Sequence, residues 1–285
     1  MTVIVLTAPT DRGLSDGDIA AARAVSGGEP RRLSSASAEL RGGDVAALDQ
    51  LRAVLPGIDI NAVPAEGRAK RLLIADMDST IIGCECIDEL ADLAGVGAAV
   101  AAVTERAMAG ELDFEGALEA RVALLEGADA ALIDRVWQER IRFNPGAETL
   151  IGRMAAAGAH TMLVSGGFTV FTERVAEAAG FAEHRANHLE VIDGRLTGRV
   201  VPPILGRAAK RAALDEALTA RGLSPGDAIA VGDGANDLAM VEAAGLGVAY
   251  RAKPVLAAAA DARIEHAGLE ALLALQGFSL SDDAS

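Results

Sequence analysis

Two carboxylates stand two residues apart, at Asp76 and Asp78, where an apolar run that begins at Leu72 comes to its end. A continuous apolar run of this length is typical of a buried parallel strand. Side chains two residues apart leave the end of a strand on the same side, and the repulsion between two carboxylates raises the pKa of each. A bound divalent cation removes that conflict, so the pair indicates a metal site. For the pair alone, a turn with two solvated acids is the alternative.

A second apolar run begins at His160 and ends in Ser165-Gly166-Gly167. A hydroxyl and backbone N–H groups at a strand-to-helix turn can cradle an anion. The segment lacks the spacing of a nucleophile elbow, because the position that needs glycine holds Leu163. Without other signals, the two glycines are also compatible with a plain turn.

A third apolar run is followed by the segment GDGAND, residues 232–237. It does not have the glycine pattern of a dinucleotide-binding loop, because its last position is Asp237. Asp233 and Asp237, with the amide of Asn236 between them, suit the preference of Mg²⁺ for oxygen ligands. Lys210 lies in a predicted helix of the same unit, and on its own it would be interpreted as a solvated charge.

The elements that must position these residues alternate between strand and helix over residues 72–275, which predicts a mostly parallel sheet with helices on both faces. Ligands of such open sheets bind beyond the carboxyl ends of the strands. We therefore expect Asp76, Ser165 and Asp233 to face one crevice. A largely helical insert, at about 85–145, follows the first of these strands.

The first 70 residues have a separate pattern, which predicts a small α+β domain (1–70) ahead of the main unit (71–285). Strand-like runs cover 3–6 and 58–63, and helical patterns cover 16–25 and 45–54. A polar linker follows, in which Arg68 and its basic neighbours are expected to be solvated. Further along, His184 and His188 are expected on one face of a helix, with no third residue to complete a zinc site.

The composition limits the class of protein. Hydrophobic residues make up 51% of the 285 residues and charged residues 24%, as in an ordinary globular chain. A net charge of −15 disfavours nucleic-acid binding, so phosphate would have to be bound by a local device such as a metal or a lysine. We expect no membrane span and no signal peptide. Two cysteines two residues apart, Cys84 and Cys86, fit the reducing cytoplasm, and a homodimer is plausible for a cytoplasmic enzyme.

Together and in this order, the motifs DMDST, SGG, Lys210 and GDGAND resemble those of the haloacid dehalogenase superfamily of phosphohydrolases, and within it the phosphoserine phosphatases. The resemblance covers about residues 71–275. It implies an α/β, Rossmann-like core with a helical cap inserted after the first core strand. Relatives often carry an ACT-like regulatory domain at the position of residues 1–70, so such a domain is an expectation here.

The resemblance also implies roles for individual residues. Asp76 would be the nucleophile and Asp78 the general acid and base. The residues that would hold Mg²⁺ are Asp76, the backbone carbonyl of Asp78, and Asp233, with Asp237 supporting them. The phosphate would be bound by Ser165, Gly166, Lys210 and Asn236.

Four residues of the insert match the subfamily's spacing and imply its specificity. Glu85 would face the substrate ammonium and Arg121 its carboxylate, while Met108 and Phe114 would form an apolar lid. The implied reaction is hydrolysis of O-phospho-L-serine, a small-molecule substrate, as the last step of serine biosynthesis. Transfer of phosphate to another alcohol such as homoserine, or hydrolysis of another small phosphoester, stays open as an alternative, and a non-catalytic amino-acid sensor is the alternative of another class.

Overall fold

Two β-sheets organise residues 2–279, the part of the chain that this computed structural model describes. The strands are β1 (Thr2–Thr7), β2 (Glu29–Ser34), β3 (Ser37–Arg41), β4 (Asp59–Pro64), β5 (Leu72–Ala75), β6 (His160–Phe168), β7 (Glu183–Ile192), β8 (Arg195–Val201), β9 (Ala228–Gly232), β10 (Leu246–Tyr250) and β11 (Ala262–Ile264). The helices are α1 (Asp16–Ser26), α2 (Leu48–Val54), α3 (Cys86–Leu93), α4 (Gly97–Met108), α5 (Phe114–Ala123), α6 (Ala131–Arg135), α7 (Ala147–Ala156), α8 (Thr169–Ala179), α9 (Arg207–Arg221), α10 (Leu238–Ala243), α11 (Pro254–Ala259) and α12 (Ala271–Leu275). Within residues 2–279, no helix has both the length and the apolar character that a membrane crossing requires.

The larger sheet has the strand order β11-β10-β9-β5-β6-β7-β8, and every neighbouring pair is parallel except β7 with β8. On β5, Leu72 and Ile74 pack with Leu214 of α9, while Leu73 packs on the opposite face in a cluster with Phe171 of α8. This alternation arises because successive side chains of a strand point to opposite faces. The predicted parallel sheet with helices on both faces is therefore confirmed.

The carboxyl ends of three adjacent strands, β9, β5 and β6, meet at the same edge of this sheet. Parallel pairing puts Ala75 of β5 beside Val231 of β9 and Leu163 of β6. Asp76 and Asp233 directly follow β5 and β9, and Ser165 lies in the last part of β6, beyond the residues that pair with β5. The three residues consequently share one crevice, as the strand pattern predicts.

The helical insert occupies α3 to α6 and lies inside the predicted range. Its two linkers to the core are held to each other: the N–H of Gly83 donates to the carbonyl of Arg142 at 3.0 Å, and the N–H of Asn144 donates to the carbonyl of Ile81 at 2.9 Å. The side-chain amide of Asn144 also donates to the carbonyl of Thr80 at 2.8 Å. The insert, called the cap below, therefore enters and leaves the core at one joint.

The N-terminal unit is a β-α-β-β-α-β arrangement with an antiparallel sheet of order β2-β3-β1-β4. The α+β prediction agrees with this, although β2 and β3 were not predicted. Strand β2 is largely exposed and polar, and β3 carries a charged residue, Glu39, in its buried interior. Strand β2 lacks the alternation of apolar residues that identifies a strand in a sequence, and in β3 the alternation of Ala38 and Leu40 with polar residues extends over only five residues. An ACT-like role for this unit stays a prediction.

Two expectations from the sequence were wrong, one for His184 and His188 and one for Arg68. His184 and His188 lie on strand β7, not on a helix, because this segment pairs with β6 and β8. The ring of His184 contacts the hydroxyl of Thr172 at 3.0 Å and that of His188 contacts Thr169 at 3.1 Å, both in α8. Both histidines therefore hold helix α8 against the sheet.

Arg68 is buried, contrary to the expectation of a solvated linker. Its guanidinium lies 2.7 Å from the carboxylate of Glu39, whose side chain is 0% exposed. It also donates to the carbonyls of Ala274 and Leu275, each at 2.9 Å. Because this one side chain joins strand β3 to the C-terminal helix α12, it connects the N-terminal unit to the core.

Strand β4 makes a second connection to the core. The carboxylate of Asp59 accepts hydrogen bonds from the backbone N–H groups of residues 265–267. The amide side chain of Asn61 pairs with both backbone groups of Arg263 on β11, at 2.8 and 2.9 Å. The two sheets are thus joined through side chains rather than through a continuous ladder.

We predict that Arg68→Ala lowers the free energy of unfolding by about 3–5 kcal/mol, because it leaves the buried carboxylate of Glu39 without its most buried partner. Arg31→Ala is the matched control, since Arg31 contacts the same carboxylate at 2.8 Å but is 46% exposed, and its loss should cost about 1 kcal/mol or less. Urea denaturation of both variants measures the difference. Equal and small losses would contradict a structural role for Arg68.

Candidate active site

The nucleophile candidate Asp76 lies at the centre of the crevice, directly after β5. Its backbone N–H donates to the carbonyl of Val231 at 3.0 Å, and its Oδ1 accepts a hydrogen bond from the N–H of Met77 at 2.7 Å. The chain then turns sharply, with Ser79 in the left-handed region at φ 56°. This turn directs Asp76 and Asp78 into the crevice and leads into the cap.

Lys210 is buried against two carboxylates. Its Nζ lies 2.6 Å from Oδ1 of Asp76 and 2.6 Å from Oδ1 of Asp237. Burial by itself lowers the pKa of this ammonium, but the two carboxylates outweigh burial and raise it above the ordinary lysine value. Lys210 therefore stays charged, and the alternative of a solvated lysine does not hold for this residue.

Asp76, Asp233 and Asp237 bring carboxylate oxygens within 4.8 Å of one another. Both oxygens of Asp237 are already engaged, Oδ1 by Lys210 and Oδ2 by the N–H groups of Asp233 and Gly234 at 3.1 and 3.0 Å. A side chain at Gly232 would collide with the carboxylate of Asp237, so glycine is required there. Asp237 is thus placed to support the cluster, while Asp76 and Asp233 face each other as candidate ligands.

The charges of this cluster fit a hard divalent cation. Three carboxylates and the one ammonium of Lys210 leave two negative charges without compensation. Burial, together with the charge of Asp237, raises the pKa of Asp76 well above its ordinary value. Burial also raises the pKa of Asp233 to about 6, with further contributions from Asp237 and Glu85. Oxygen ligands with unbalanced negative charge are the set that Mg²⁺ or Ca²⁺ binds.

Asp78 has the environment of an acid–base group. Its Oδ1 accepts a hydrogen bond from the N–H of Cys86 at 3.1 Å, and its Oδ2 lies 3.5 Å from the hydroxyl of Ser165. Burial, followed by the nearby charge of Glu85, raises its pKa to about 7. At neutral pH this carboxyl is therefore present in both protonation states. The carboxylate of Glu85 is held by the hydroxyl of Ser79 at 2.6 Å.

Beside these acids lies a small pocket with hydrogen-bond donors for an anion. It is lined by Phe114, Val164, Ser165, Gly166, Leu205, Gly206, Arg207, Ala209, Lys210 and Asn236. Ser165 is buried and accepts a hydrogen bond from the N–H of Gly167 at 2.8 Å. The amide of Asn236 lies 3.4 Å from Oδ2 of Asp76, so the pocket adjoins the nucleophile candidate.

The cap brings Phe114 onto this pocket. A Cβ added at Gly166 would lie 2.8 Å from the ring atom Cζ of Phe114, so the ring packs directly on the glycine backbone. Arg121, on the same helix α5, is half-buried, and its Nε donates to the carbonyl of Ala117 at 3.2 Å. Within residues 2–279, no carboxylate lies within ion-pair distance of Arg121.

The structure does not bring Met108 to the pocket. Met108 ends helix α4 and is 79% exposed, so the apolar lid in this conformation consists of Phe114 without Met108. The sequence spacing of Met108 and Phe114 is compatible with a shared lid. However, Met108 lies at the exposed end of α4, whereas Phe114 lies at the start of α5, over the pocket. The roles of the remaining site residues stay predictions.

Two further residues at the site were not singled out from the sequence. Arg207 lines the anion pocket one helical turn before Lys210, and the spacing of three residues on one helix could have revealed it. Asn187 is buried on β7; its side-chain amide donates to the carbonyl of Gly166 at 2.9 Å, and its oxygen accepts from the N–H of Leu205 at 2.6 Å. No local signal identifies Asn187, because its partners are distant in the sequence.

We predict that Gly166→Ala lowers the free energy of unfolding by about 1–3 kcal/mol, because the new methyl group would push against the ring of Phe114. The double variant with Phe114→Ala should lose less than the sum of the two single variants. Gly152→Ala is the control, since a Cβ there meets nothing within 4 Å on helix α7. Additive losses in urea unfolding would show that the ring and the glycine do not interact.

Comparison with known proteins agrees with this geometry. A family model described as haloacid dehalogenase-like hydrolase matches residues 73–242. Phosphoserine phosphatases from Albidiferax ferrireducens and Polaromonas sp. are each 46% identical to this chain, and the matches cover 78% of it and 97% of each relative.

Two solved structures are similar over nearly the whole chain, including the N-terminal unit. A haloacid dehalogenase family hydrolase from Salmonella enterica serovar Typhi is 29% identical, with a TM-score of 0.84 over 100% of both chains. A probable phosphoserine phosphatase from Vibrio cholerae is 32% identical, with a TM-score of 0.82 over 98% of this chain and 87% of that one. The chain belongs to the family of haloacid dehalogenase-like hydrolases, and phosphoserine phosphatases are among its relatives.

Proposed function

We propose that this protein is a phosphoserine phosphatase, which hydrolyses O-phospho-L-serine to L-serine and phosphate with the help of Mg²⁺. The observation that carries the chemistry is the position of Asp76, whose carboxylate lies between Lys210 and the acidic cluster and beside the anion pocket. The relatives named above support the choice of substrate. Because the product is serine, this reaction would be the last step of serine biosynthesis. We expect the enzyme to be located in the cytoplasm.

The cation would be held by Asp76, by the backbone carbonyl of Asp78 and by Asp233, with Asp237 orienting this set. When bound, it would neutralise charge on the nucleophile and on the phosphate oxygens. Lys210 compensates the charge of Asp76 through Oδ1, and the N–H of Met77 donates a hydrogen bond to the same oxygen. The other oxygen, Oδ2, is then oriented toward the substrate.

In the first step, an oxygen of Asp76 forms a bond to phosphorus as the bond from phosphorus to the seryl oxygen breaks. Protonated Asp78 gives its proton to that departing oxygen, so serine leaves as a neutral alcohol. In the second step, Asp78 accepts a proton from water, and the water oxygen attacks phosphorus and releases phosphate from Asp76. A pKa of about 7 lets Asp78 act in both directions near neutral pH.

The anion pocket would hold the phosphate during both steps. The hydroxyl of Ser165, the N–H of Gly166, the ammonium of Lys210 and the amide of Asn236 supply donors around it. Removal of one such donor commonly costs about a hundredfold in rate. Arg207 adds a second cation at the edge of the same pocket.

Recognition of the amino acid is assigned to the cap. Arg121 carries a guanidinium that can bind a carboxylate with two parallel hydrogen bonds, and Glu85 carries a negative charge close to Asp78. Phe114 covers the pocket and would exclude water. This assignment separates the specificity of the enzyme from its chemistry.

We predict that the protein releases phosphate from O-phospho-L-serine at least tenfold faster than from ethyl phosphate, which has neither an amino nor a carboxyl group; the difference reflects charged contacts worth about 1.5 kcal/mol or more. Asp76→Asn should lower the rate by about a thousandfold or more, because the nucleophile is lost. A phosphate-release assay measures both. Equal rates on the two substrates would refute the proposed specificity, and an active Asp76→Asn variant would refute the covalent mechanism.

We predict that Mg²⁺ stabilises the protein more at pH 8 than at pH 5.5. The pKa of Asp233 is raised to about 6 and that of Asp78 to about 7, so the metal-free folded state holds these protons more tightly than the unfolded chain does. The stability that this contributes is full below the ordinary carboxyl pKa and is lost as the pH rises through about 6 to 7.

Since Mg²⁺ needs the deprotonated carboxylates, a group of pKa about 6 weakens binding at pH 5.5 by about fourfold. Thermal melts with and without MgCl₂ at the two pH values measure the effect, and Asp233→Asn should remove most of the Mg²⁺-dependent shift. An equal shift at both pH values in the unmodified protein would contradict the raised pKa values.

A further inference from the structure

The cap is tied to the core at a second place besides its two linkers. The connection between α5 and α6 meets the turn of the β7–β8 hairpin through three backbone hydrogen bonds. The N–H of Gly127 donates to the carbonyl of Leu196 at 2.8 Å, and the N–H of Leu196 donates to the carbonyl of Ala128 at 2.9 Å. The N–H of Ala130 donates to the carbonyl of Gly194 at 2.9 Å.

Two side-chain features of strand β8 reinforce this attachment. The guanidinium of Arg195 donates to the carbonyl of Gly127 at 2.7 Å. Gly198 lies against the end of α5: a Cβ there would be 2.9 Å from Cβ of Glu126 and 3.3 Å from Cα of Ala123. The absence of a side chain at Gly198 is therefore what lets α5 approach the strand.

The opposite end of α5 lies over the anion pocket. Phe114, its first residue, packs on Gly166, and the carboxylate of Glu115 would be 3.4 Å from a Cβ added at Gly206. A ten-residue helix is about 15 Å long, so a small tilt at the hairpin end displaces the end that covers the pocket. Arg121 lies on the same helix and would move with it.

One strand holds both the pocket and the attachment of α5. In the middle of β7, Asn187 bonds to the carbonyl of Gly166 and to the N–H of Leu205, and both of these residues line the pocket. Beyond Asn187 the same strand continues into the hairpin that contacts α5. The distance from the pocket to the hairpin is thus set by the rigid geometry of a paired strand.

We propose that the β7–β8 hairpin is a latch that positions α5 over the anion pocket, so that Arg195 and Gly198 are positioning residues for substrate binding. The inference rests on the proposed function, because its kinetic readout uses phosphoserine. When the latch is weakened, a smaller fraction of molecules holds α5 in the binding-competent position. The apparent affinity for phosphoserine falls in proportion to the fraction of molecules that are binding-competent. The chemistry at Asp76 is unchanged once substrate has bound.

The first test compares Arg195→Ala with Arg199→Ala. Both remove an exposed arginine from strand β8, but only Arg195 reaches the cap. Arg195→Ala should raise KM for phosphoserine about fivefold and leave kcat within about twofold, while Arg199→Ala leaves both unchanged. Hydrolysis of ethyl phosphate, which lies beneath Phe114 but does not engage Arg121, should be slowed less in Arg195→Ala than hydrolysis of phosphoserine is.

The second test compares Gly198→Ala with Gly180→Ala. Both glycines have positive φ, 76° and 86°, so a side chain strains the backbone at either position, but a Cβ at Gly180 meets nothing within 4 Å. Gly198→Ala should raise KM for phosphoserine by about tenfold or more, with Gly180→Ala unchanged. If Gly198→Ala does not fold, Arg195→Ala decides the question.

A readout without catalysis separates the latch from the proposed function. Trp137, the single tryptophan of the chain, follows α6 in the cap and shares a groove with Arg174 and Glu177 of the core helix α8. Acrylamide should quench its fluorescence more strongly in Arg195→Ala and Gly198→Ala than in the unmodified protein and in the two controls. If phosphoserine is not a substrate but quenching rises in these two variants only, the proposed function fails and the latch stands. If both variants match their controls in quenching and in KM, the latch is refuted.

Discussion

The active site depends on one buried cation, the ammonium of Lys210 between the carboxylates of Asp76 and Asp237. Each of these charges would be costly to bury alone, by several kcal/mol, and the arrangement is stable only because the three are placed together. The same contact fixes helix α9 against the loops that follow β5 and β9. Chemistry and packing therefore rely on the same pair of 2.6 Å contacts.

The excess negative charge that remains is what prepares the site for a divalent cation. Among residues 2–279, no cationic side chain lies as close to Asp233 as Lys210 lies to Asp76. The backbone carbonyl of Asp233 accepts a hydrogen bond from the N–H of Lys253 at 2.8 Å. The loop after β10 thus supports the loop after β9. Strand β10 also pairs with β11, and β11 is hydrogen-bonded to Asn61 of the N-terminal unit. A chain of contacts therefore leads from the N-terminal sheet through β11 and β10 to the loop that carries Asp233.

The cap and the N-terminal unit are attached to the core by similar physical means. Each uses a few buried or backbone hydrogen bonds at defined places: Asn144 at the cap linkers, and Arg68 and Asp59 at the N-terminal unit. Buried polar groups of this kind must be satisfied in one geometry, so they specify an orientation that apolar contact alone would leave open. The core sheet is then the common reference for all three parts.

The sequence by itself determined the order of the core elements and the identity of the chemical groups. Helix 207–221 and the strand ends at Asp76, Ser165 and Asp233 were predictable because apolar runs and their polar ends are local signals. Strand β2, the burial of Arg68 and the strand conformation of His184 were decided only by tertiary structure. In each case a polar residue is stabilised by a partner far along the chain, and local propensity carries no information about such a partner. The same reason explains why Asn187 became evident only when the chain was folded. The exposed position of Met108 depends instead on how the end of α4 is placed in the cap.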